Sequence, residues 1–166
     1  MIRGYMAVGN KCAVDLEELC LPISTKAALE ILWQKGFRVA AVDVVKLARG
    51  CVSSSRYRRG ANYFEAPFTV DCSTLTKWVY AKTGIWLPRH SIDQREMGKR
   101  VSDVRAGDLI FANGAKPYWF TDPTDGVGHV GICTGQGTVI HAASKDRGVV
   151  EDSIEDFRDP ARVLEE

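Results

Sequence analysis

A cysteine lies between an aspartate and a serine in Asp71-Cys72-Ser73, where an amphipathic helix is predicted to begin. A cysteine in such a place is most often a small core residue. At a helix N-terminus, however, the helix dipole favours the thiolate, which is the nucleophilic form. A neighbouring imidazolium favours it further and brings the thiol pKa from about 8.5 to roughly 3.5–7.5. Cys72 is therefore a candidate nucleophile if the fold brings a histidine to it.

Two of the three histidines, His129 and His141, lie on a predicted β-hairpin. Its turn is Gly135-Gln136-Gly137, and a glycine at the last position suits the left-handed residue of a three-residue loop. With that loop His129 faces Ala143, and His141 is its diagonal neighbour on the same face. Such neighbours have Cβ atoms roughly 7–8 Å apart or less. A two-residue loop would put the histidines on opposite faces.

These three side chains match the roles of a thiol-dependent hydrolase. Cys72 is the nucleophile, His129 is the base, and His141 orients the imidazole as Asn does in papain-like enzymes. The alternative is a zinc site formed by these residues with Cys133. The spacing matches no usual zinc motif, so we expect no metal and no cofactor.

Around these residues the sequence predicts helices first and strands later. Helices are expected after Ser24, after Asp43 and from Cys72 onward, since each start has a capping residue or an apolar stripe. Strands are expected at 108–111, 130–133, 138–141 and 162–164. This order favours an α+β domain over a doubly wound sheet. We expect residues 1–40 to form an extension with one helix and residues 41–166 to form the catalytic domain.

Length and charge exclude several other classes. The chain has 166 residues, which suits one domain, and 22 Lys and Arg against 21 Asp and Glu give no argument for a nucleic-acid partner. No apolar run approaches the ~18 residues of a membrane span. The first fifteen residues contain only a short, broken apolar run and match a secretory signal poorly. Five cysteines without a CxxC pair predict neither a disulfide framework nor a zinc ribbon.

Five short stretches occur in one order between residues 71 and 142. They are Asp71-Cys72-Ser73, Leu87-Pro88-Arg89-His90-Ser91-Ile92-Asp93-Gln94, Gly107-Asp108-Leu109-Ile110-Phe111, His129-Val130-Gly131-Ile132 and Ile140-His141-Ala142. With them the chain resembles the NlpC-type endopeptidases, papain-like cysteine peptidases that cut the peptide stems of bacterial peptidoglycan.

This resemblance implies a papain-like α+β fold, with helices packed on an antiparallel sheet and the nucleophile on a helix that faces the sheet. It implies hydrolysis of an amide bond, γ-D-glutamyl to a diamino acid, through a thioester. The substrate is then peptidoglycan or a muropeptide, and no cofactor is required. The backbone N–H of Cys72 is a candidate oxyanion donor, because the first amides of a helix lack internal partners.

The resemblance also assigns substrate-binding residues. Asp71 and Ser73, which are good capping residues in their own right, are expected to contact the polar end of a stem peptide. Arg89 belongs to the second stretch, and Tyr57 is expected to line the site near the oxyanion. The segment after Tyr57 lacks the Trp and the second Gly of the family turn, and Thr74 replaces the usual Gly after Ser73.

Residues 113–128 lead directly into His129 and contain Tyr118-Trp119-Phe120 among Gly, Pro and Asp. Alternation cannot place three consecutive aromatic residues on one face, so at least one should be exposed or shield a cleft. We expect this segment to face the substrate, with Trp119 in contact with it.

Two other functions fit the same residues. One is another thiol acyl transfer on this scaffold, by a deamidase, a transglutaminase or a lipid acyltransferase, although lipid-acting relatives commonly have their His before the Cys. The other is a non-catalytic wall-binding module, against which the complete set of Cys72, His129 and His141 argues.

Overall fold

The computed structural model describes residues 2–7, 20–113 and 127–158. The predicted aromatic segment 118–120, with Trp119, and the predicted strand at 162–164 lie outside these ranges. None of the helices within them is long and apolar enough to cross a membrane.

The helices begin where the capping residues predict. In chain order they are α1 (Thr25–Gln34), α2 (Val44–Arg49), α3 (Cys72–Ala81), α4 (Ser91–Met97) and α5 (Ile154–Arg158), with a 3-10 turn at Tyr63–Glu65. The side chains of Ser24, Asp43 and Asp71 each accept a hydrogen bond from a free N–H in the first turn of the helix that follows. The three predicted starts are therefore confirmed, whereas α4 and α5 were not predicted.

Within the described ranges the strands form three sheets. In chain order they are β1 (Ile2–Ala7), β2 (Phe37–Val42), β3 (Arg56–Tyr57), β4 (Thr69–Val70), β5 (Leu109–Asn113), β6 (Val127–Cys133), β7 (Thr138–Ser144) and β8 (Gly148–Ser153). The main sheet is antiparallel with the order β5-β6-β7-β8, and β1-β2 and β3-β4 are separate pairs. Helices on an antiparallel sheet confirm the predicted α+β class.

The hairpin between β6 and β7 has the predicted register. Ile132 pairs with Ile140 and Cys133 with Val139, so the loop is the three residues 135–137. Gly137 has a φ of +81°, the left-handed conformation that this loop requires.

Helix α3 packs its apolar face on the sheet. Leu75 and Val79 are fully buried against Ile132 and Ile140 in the largest core cluster. Because Cys72 is the first residue of α3, this packing holds the thiol at the end of a helix that is fixed to β6 and β7.

The N-terminal part of the chain contains more than the predicted helix. Strands β1 and β2 pair antiparallel from Ile2↔Val42 to Ala7↔Phe37, and the strand pair was not predicted. The expected domain boundary at residue 40 falls inside β2.

Candidate active site

Asp71 caps helix α3 directly before the thiol. Its Oδ1 accepts the N–H of Thr74 at 2.8 Å, and its Oδ2 accepts the N–H of Gly60 at 3.0 Å. Cys72 itself is half-buried, whereas Asp71 and Ser73 are buried. The carboxylate therefore ties the helix start to the loop around residue 60 and leaves the thiol as the more accessible group.

Arg89 joins the two residues that flank the thiol. Its Nη2 donates to Asp71 Oδ2 at 2.6 Å and to the carbonyl of Ala61 at 3.1 Å, and its Nη1 donates to Ser73 Oγ at 2.8 Å. A third of the Arg89 side chain is exposed. The structure thus brings Asp71, Ser73 and Arg89 together around Cys72 as internal partners, and their contact with substrate stays a prediction.

Gln94 fixes the same helix turn from α4. It is 1% exposed, accepts a hydrogen bond from Thr76 Oγ1 at 2.7 Å, and donates to the carbonyls of Ser73 and Pro88, both at 2.9 Å. The sequence contained Gln94 in a family stretch but did not indicate what the amide does. Its donors and acceptor are all used to hold α3 against the segment before α4.

Thr74 occupies the place of the family glycine without strain on the helix start. It is fully buried, and its hydroxyl donates to the carbonyl of Ala61 at 3.0 Å. The extra side chain therefore makes a further link between α3 and the loop that also contacts Arg89.

The two histidines are in direct contact across β6 and β7. His129 Nε2 lies 2.8 Å from His141 Nδ1, and the ring planes are nearly perpendicular at 84°. The predicted proximity of the two imidazoles is confirmed. The sequence did not indicate the next link, in which His141 Nε2 lies 3.0 Å from Asp152 Oδ2 and Asp152 pairs with Arg147.

Gly131 leaves the space that this contact needs. It lies opposite His141 when the register of β6 and β7 is continued from Ile132↔Ile140. A Cβ at Gly131 would lie 2.4 Å from Val139 Cγ1 and 3.0 Å from His141 Cβ. Only glycine permits the two strands to approach this closely beneath the imidazoles.

Phe157 of α5 covers both imidazoles. Its ring centroid lies 5.2 Å from that of His129 and 4.9 Å from that of His141, and it is 2% exposed. This contact was not predicted, because α5 itself was not. Phe157 shields the hydrogen bond between the histidines from water.

Burial governs the ionisation of the thiol and the base. It raises the pKa of Cys72 to about 12, helped by the charge of Asp71 and opposed by hydrogen bonds from the backbone N–H groups of Val130 and Ser73. Burial also lowers the pKa of His129 to about 3, helped by the neighbouring His141. The lowered thiol pKa expected from the helix position is therefore wrong, because loss of hydration outweighs the helix end. Burial therefore favours the neutral form of both groups.

Two predicted residues remain, Tyr57 inside the described ranges and Trp119 outside them. Tyr57 pairs with Val70, the residue before Asp71, in the parallel β3-β4 ladder and packs against the main core cluster. Its place near an oxyanion stays a prediction, and so does the role of Trp119. Within 20–113 and 127–158, no group of three or more His, Cys, Asp or Glu is arranged to hold a metal ion.

The sequence matches the profile of the NlpC/P60 family over residues 54–159. It is 42% identical over 100 residues to the probable endopeptidase p60 of Listeria innocua, covering 59% of this chain and 18% of that protein. It is 38% identical over 81 residues to the bifunctional muramidase/DL-endopeptidase CwlT of Bacillus subtilis, covering 48% of this chain and 22% of CwlT. The chain thus spans about a fifth of these curated relatives.

A solved structure has a similar fold. The NlpC/p60 domain of the peptidoglycan hydrolase SagA superposes with a TM-score of 0.56 at 30% identity, over 69% of this chain and 90% of that domain. The predicted fold is thereby confirmed.

We expect Gly131→Ala to separate the histidines. The added methyl group must push the buried side chain of Val139 or the backbone of β7, at about 1–3 kcal/mol of the free energy of unfolding. Denaturant unfolding measures the loss, and loss of the hydrogen-bonded proton between the imidazoles, followed by NMR, reports their separation. Gly98→Ala is the matched control, because a Cβ there meets only ordinary contacts at 3.6 and 3.7 Å. Equal stability of both variants would contradict the packing argument.

We expect the protein to lose stability between pH 7 and pH 5. The folded pKa of His129 is about 3, below the roughly 6.5 of an unfolded histidine. The unfolded state therefore binds the proton first, and the stabilisation present above pH 6.5 is lost as the pH falls, by about 2 kcal/mol at pH 5. Urea unfolding at the two pH values measures it. His129→Gln should flatten this dependence, whereas the exposed His90→Gln should not, and an unchanged slope in His129→Gln would reject a buried neutral imidazole.

Proposed function

The chain belongs to the NlpC/P60 family, and on that basis we propose that it is a cysteine endopeptidase that hydrolyses an amide bond in the peptide stems of peptidoglycan. The names of its relatives support this substrate class, since they include probable endopeptidases, a DL-endopeptidase and a peptidoglycan hydrolase. The observation that carries the proposal is the position of the thiol. Cys72 starts a helix packed on β6, its sulfur accepts the N–H of Val130, and His129 is the residue before Val130.

Three residues perform the reaction in this proposal. Cys72 Sγ attacks the scissile carbonyl carbon while its proton passes to His129. The C–N bond then breaks, and His129 returns the proton to the leaving amine, which leaves a thioester on Cys72. Water attacks the thioester, His129 takes a proton from that water, and the C–S bond breaks with return of the proton to the thiol. His141 holds the imidazole of His129 through their 2.8 Å hydrogen bond.

Burial bears on how the thiol is activated. Because burial raises the pKa of Cys72 and lowers that of His129, it disfavours a preformed thiolate and imidazolium in the free enzyme. The proton is transferred as the carbonyl is attacked, so His129 acts as a general base. The transfer takes place when a bound substrate has displaced water from the site and its carbonyl carbon has reached the sulfur.

Substrate contacts are proposed around the same helix start. The backbone N–H of Cys72 donates to the oxyanion, with Tyr57 beside it. Arg89, which is partly exposed, provides a positive charge at the polar end of a stem peptide. Asp71 and Ser73 act through Arg89, since their side chains already bond to it. Trp119, in the segment that leads into His129, is proposed to contact the substrate as well.

The proposed bond is γ-D-glutamyl to a diamino acid, and no metal or cofactor takes part. The family resemblance implies this bond, and the name DL-endopeptidase of one relative is consistent with it. We also propose that residues 41–166 are the peptidase domain and residues 1–40 an extension to it. The family match at 54–159 lies wholly inside the proposed domain.

We expect Cys72→Ala and His129→Ala each to reduce turnover on purified peptidoglycan by on the order of 1000-fold or more. The double variant should be no worse than either single one, because a thiol without its base and a base without its thiol are equally ineffective. Mass spectrometry of the soluble products gives the bond that is cut, and a chelator should leave the rate unchanged.

Two surface variants control for general damage. Cys20→Ala and His90→Ala change exposed residues of the same types and should retain the wild-type rate. Hydrolysis that survives Cys72→Ala, or that stops with chelator and returns with zinc, would contradict the mechanism. Products cut at a different bond would remove the proposed specificity alone.

A further inference from the structure

A carboxylate and a guanidinium extend the line of histidines beyond the three proposed catalytic residues. Asp152 of β8 bonds to the far nitrogen of His141, and Arg147 of the β7-β8 turn bonds to both oxygens of Asp152. We propose that Asp152 is a positioning residue that sets the tautomers of both histidines, and that Arg147 keeps it in this role. This inference rests on the proposed function.

The register of β7 and β8 puts Asp152 on the face of the histidines. His141 pairs with Val150 and Val139 pairs with Asp152, so Asp152 is the diagonal neighbour of His141 on the same side of the sheet. Its side chain is 13% exposed and that of His141 is 6% exposed. The Asp152 carboxylate is thus largely shielded from water, and it has one hydrogen-bond partner on each side, His141 and Arg147.

The carboxylate determines where the protons lie. An ionised Asp152 only accepts hydrogen bonds, so the 3.0 Å contact requires the hydrogen of His141 on Nε2. The neutral ring then has a bare Nδ1, which accepts the hydrogen on His129 Nε2 across 2.8 Å. The remaining lone pair of His129 is on Nδ1. That nitrogen is the one left free to take the thiol proton.

Arg147 keeps the carboxylate ionised and the imidazole neutral. Burial raises the pKa of Asp152, but the hydrogen bonds from Arg147 and His141 outweigh it and hold the pKa below its ordinary value. Burial lowers the pKa of His141, Asp152 opposes this, and the charge of Arg147 lowers it again. Asp156 also faces the guanidinium. A doubly protonated His141 would direct an N–H at His129 and reverse the tautomer of His129. Asp152 and Arg147 together prevent this.

The same line of groups stabilises the charge that forms during catalysis. When His129 takes the thiol proton, it becomes a cation that donates from Nε2 to a neutral His141. The far side of His141 is bonded to an anion, which raises the basicity of its Nδ1 as an acceptor. No proton passes to Asp152, and its charge acts through the ring between them.

Asp152→Asn tests the proposal because it preserves the size of the side chain and replaces one carboxylate oxygen, an acceptor, with an NH2 donor. Arg147 will bind the amide oxygen, so the amide NH2 turns to His141 Nε2 and makes that nitrogen an acceptor. The hydrogen of His141 then moves to Nδ1, and that of His129 moves to its own Nδ1, which can no longer accept a proton. We expect kcat to fall about 100-fold or more with little change in KM, as for the loss of a tautomer-setting carboxylate in a triad. Asp152→Glu should restore part of the rate.

Glu151→Gln is the matched control on the same strand. It makes the same change of charge, but Glu151 bonds to Arg49 and Thr138 on the opposite face of β8. Its kcat should equal that of the wild type. A loss of the same size in Glu151→Gln would show that the effect comes from β8 as a whole and would overturn the proposal.

Arg147→Gln should change the pH dependence of kcat/KM. Without the guanidinium, His141 is protonated at a higher pH, so the acid limb of kcat/KM should move upward, whereas Arg147→Lys should keep it near the wild-type position. An unmoved acid limb in Arg147→Gln would overturn the role given to Arg147.

Two measurements without substrate separate this inference from the proposed function. Nitrogen-15 chemical shifts of the histidines report the tautomers directly, and the rate at which iodoacetamide alkylates Cys72 near pH 7 reports the base. If the wild type cuts no peptidoglycan, the proposed function fails, yet a changed tautomer and slower alkylation in Asp152→Asn still support the positioning role. If Asp152→Asn keeps the wild-type tautomers and alkylation rate, the inference is wrong whatever the substrate.

Discussion

The hydrogen bond between His129 and His141 is the interaction on which the rest of the site depends. It exists only because β6 and β7 are paired in one register, and a slip by one residue would turn the two rings to opposite faces. The three-residue hairpin loop, with Gly137 at a positive φ, sets that register. The missing side chain of Gly131 then gives the rings room to meet.

The second constraint is burial. A polar line from His129 through His141 and Asp152 to Arg147 crosses the strands of the main sheet, with Phe157 against both imidazoles. In a low-dielectric interior each unpaired group of this line would be costly. In the part of the chain that the structure describes, no buried side-chain nitrogen or oxygen lacks a hydrogen-bond partner. The line ends at Arg147, whose side chain is 44% exposed, so its charge reaches water. Burial favours the neutral forms of Cys72 and His129, whereas the guanidinium of Arg147 stays charged in contact with water.

Much of this arrangement follows from local sequence signals. Capping residues predict the helix starts, and the glycines of one turn predict the contact of two histidines, since both depend on neighbours within a few positions. Asp152 and Phe157 were missed because their roles depend on the β7-β8 register and on a five-residue helix, neither of which has a strong local pattern. The ionisation of Cys72 was predicted in the wrong direction. Its position at a helix end is local, whereas the desolvation that outweighs this position arises from tertiary packing.

Partition of the acyl group between water and hydroxylamine tests the central claim most directly, which is that a thioester forms on Cys72. The enzyme is given a stem peptide in increasing hydroxylamine, and the acyl half of the product is identified by mass. The account predicts that free acid is progressively replaced by the hydroxamate, and that acid quench of early turnovers yields an acyl adduct on the peptide that contains Cys72. Product that remains free acid at every hydroxylamine concentration, with no adduct on Cys72, would contradict it.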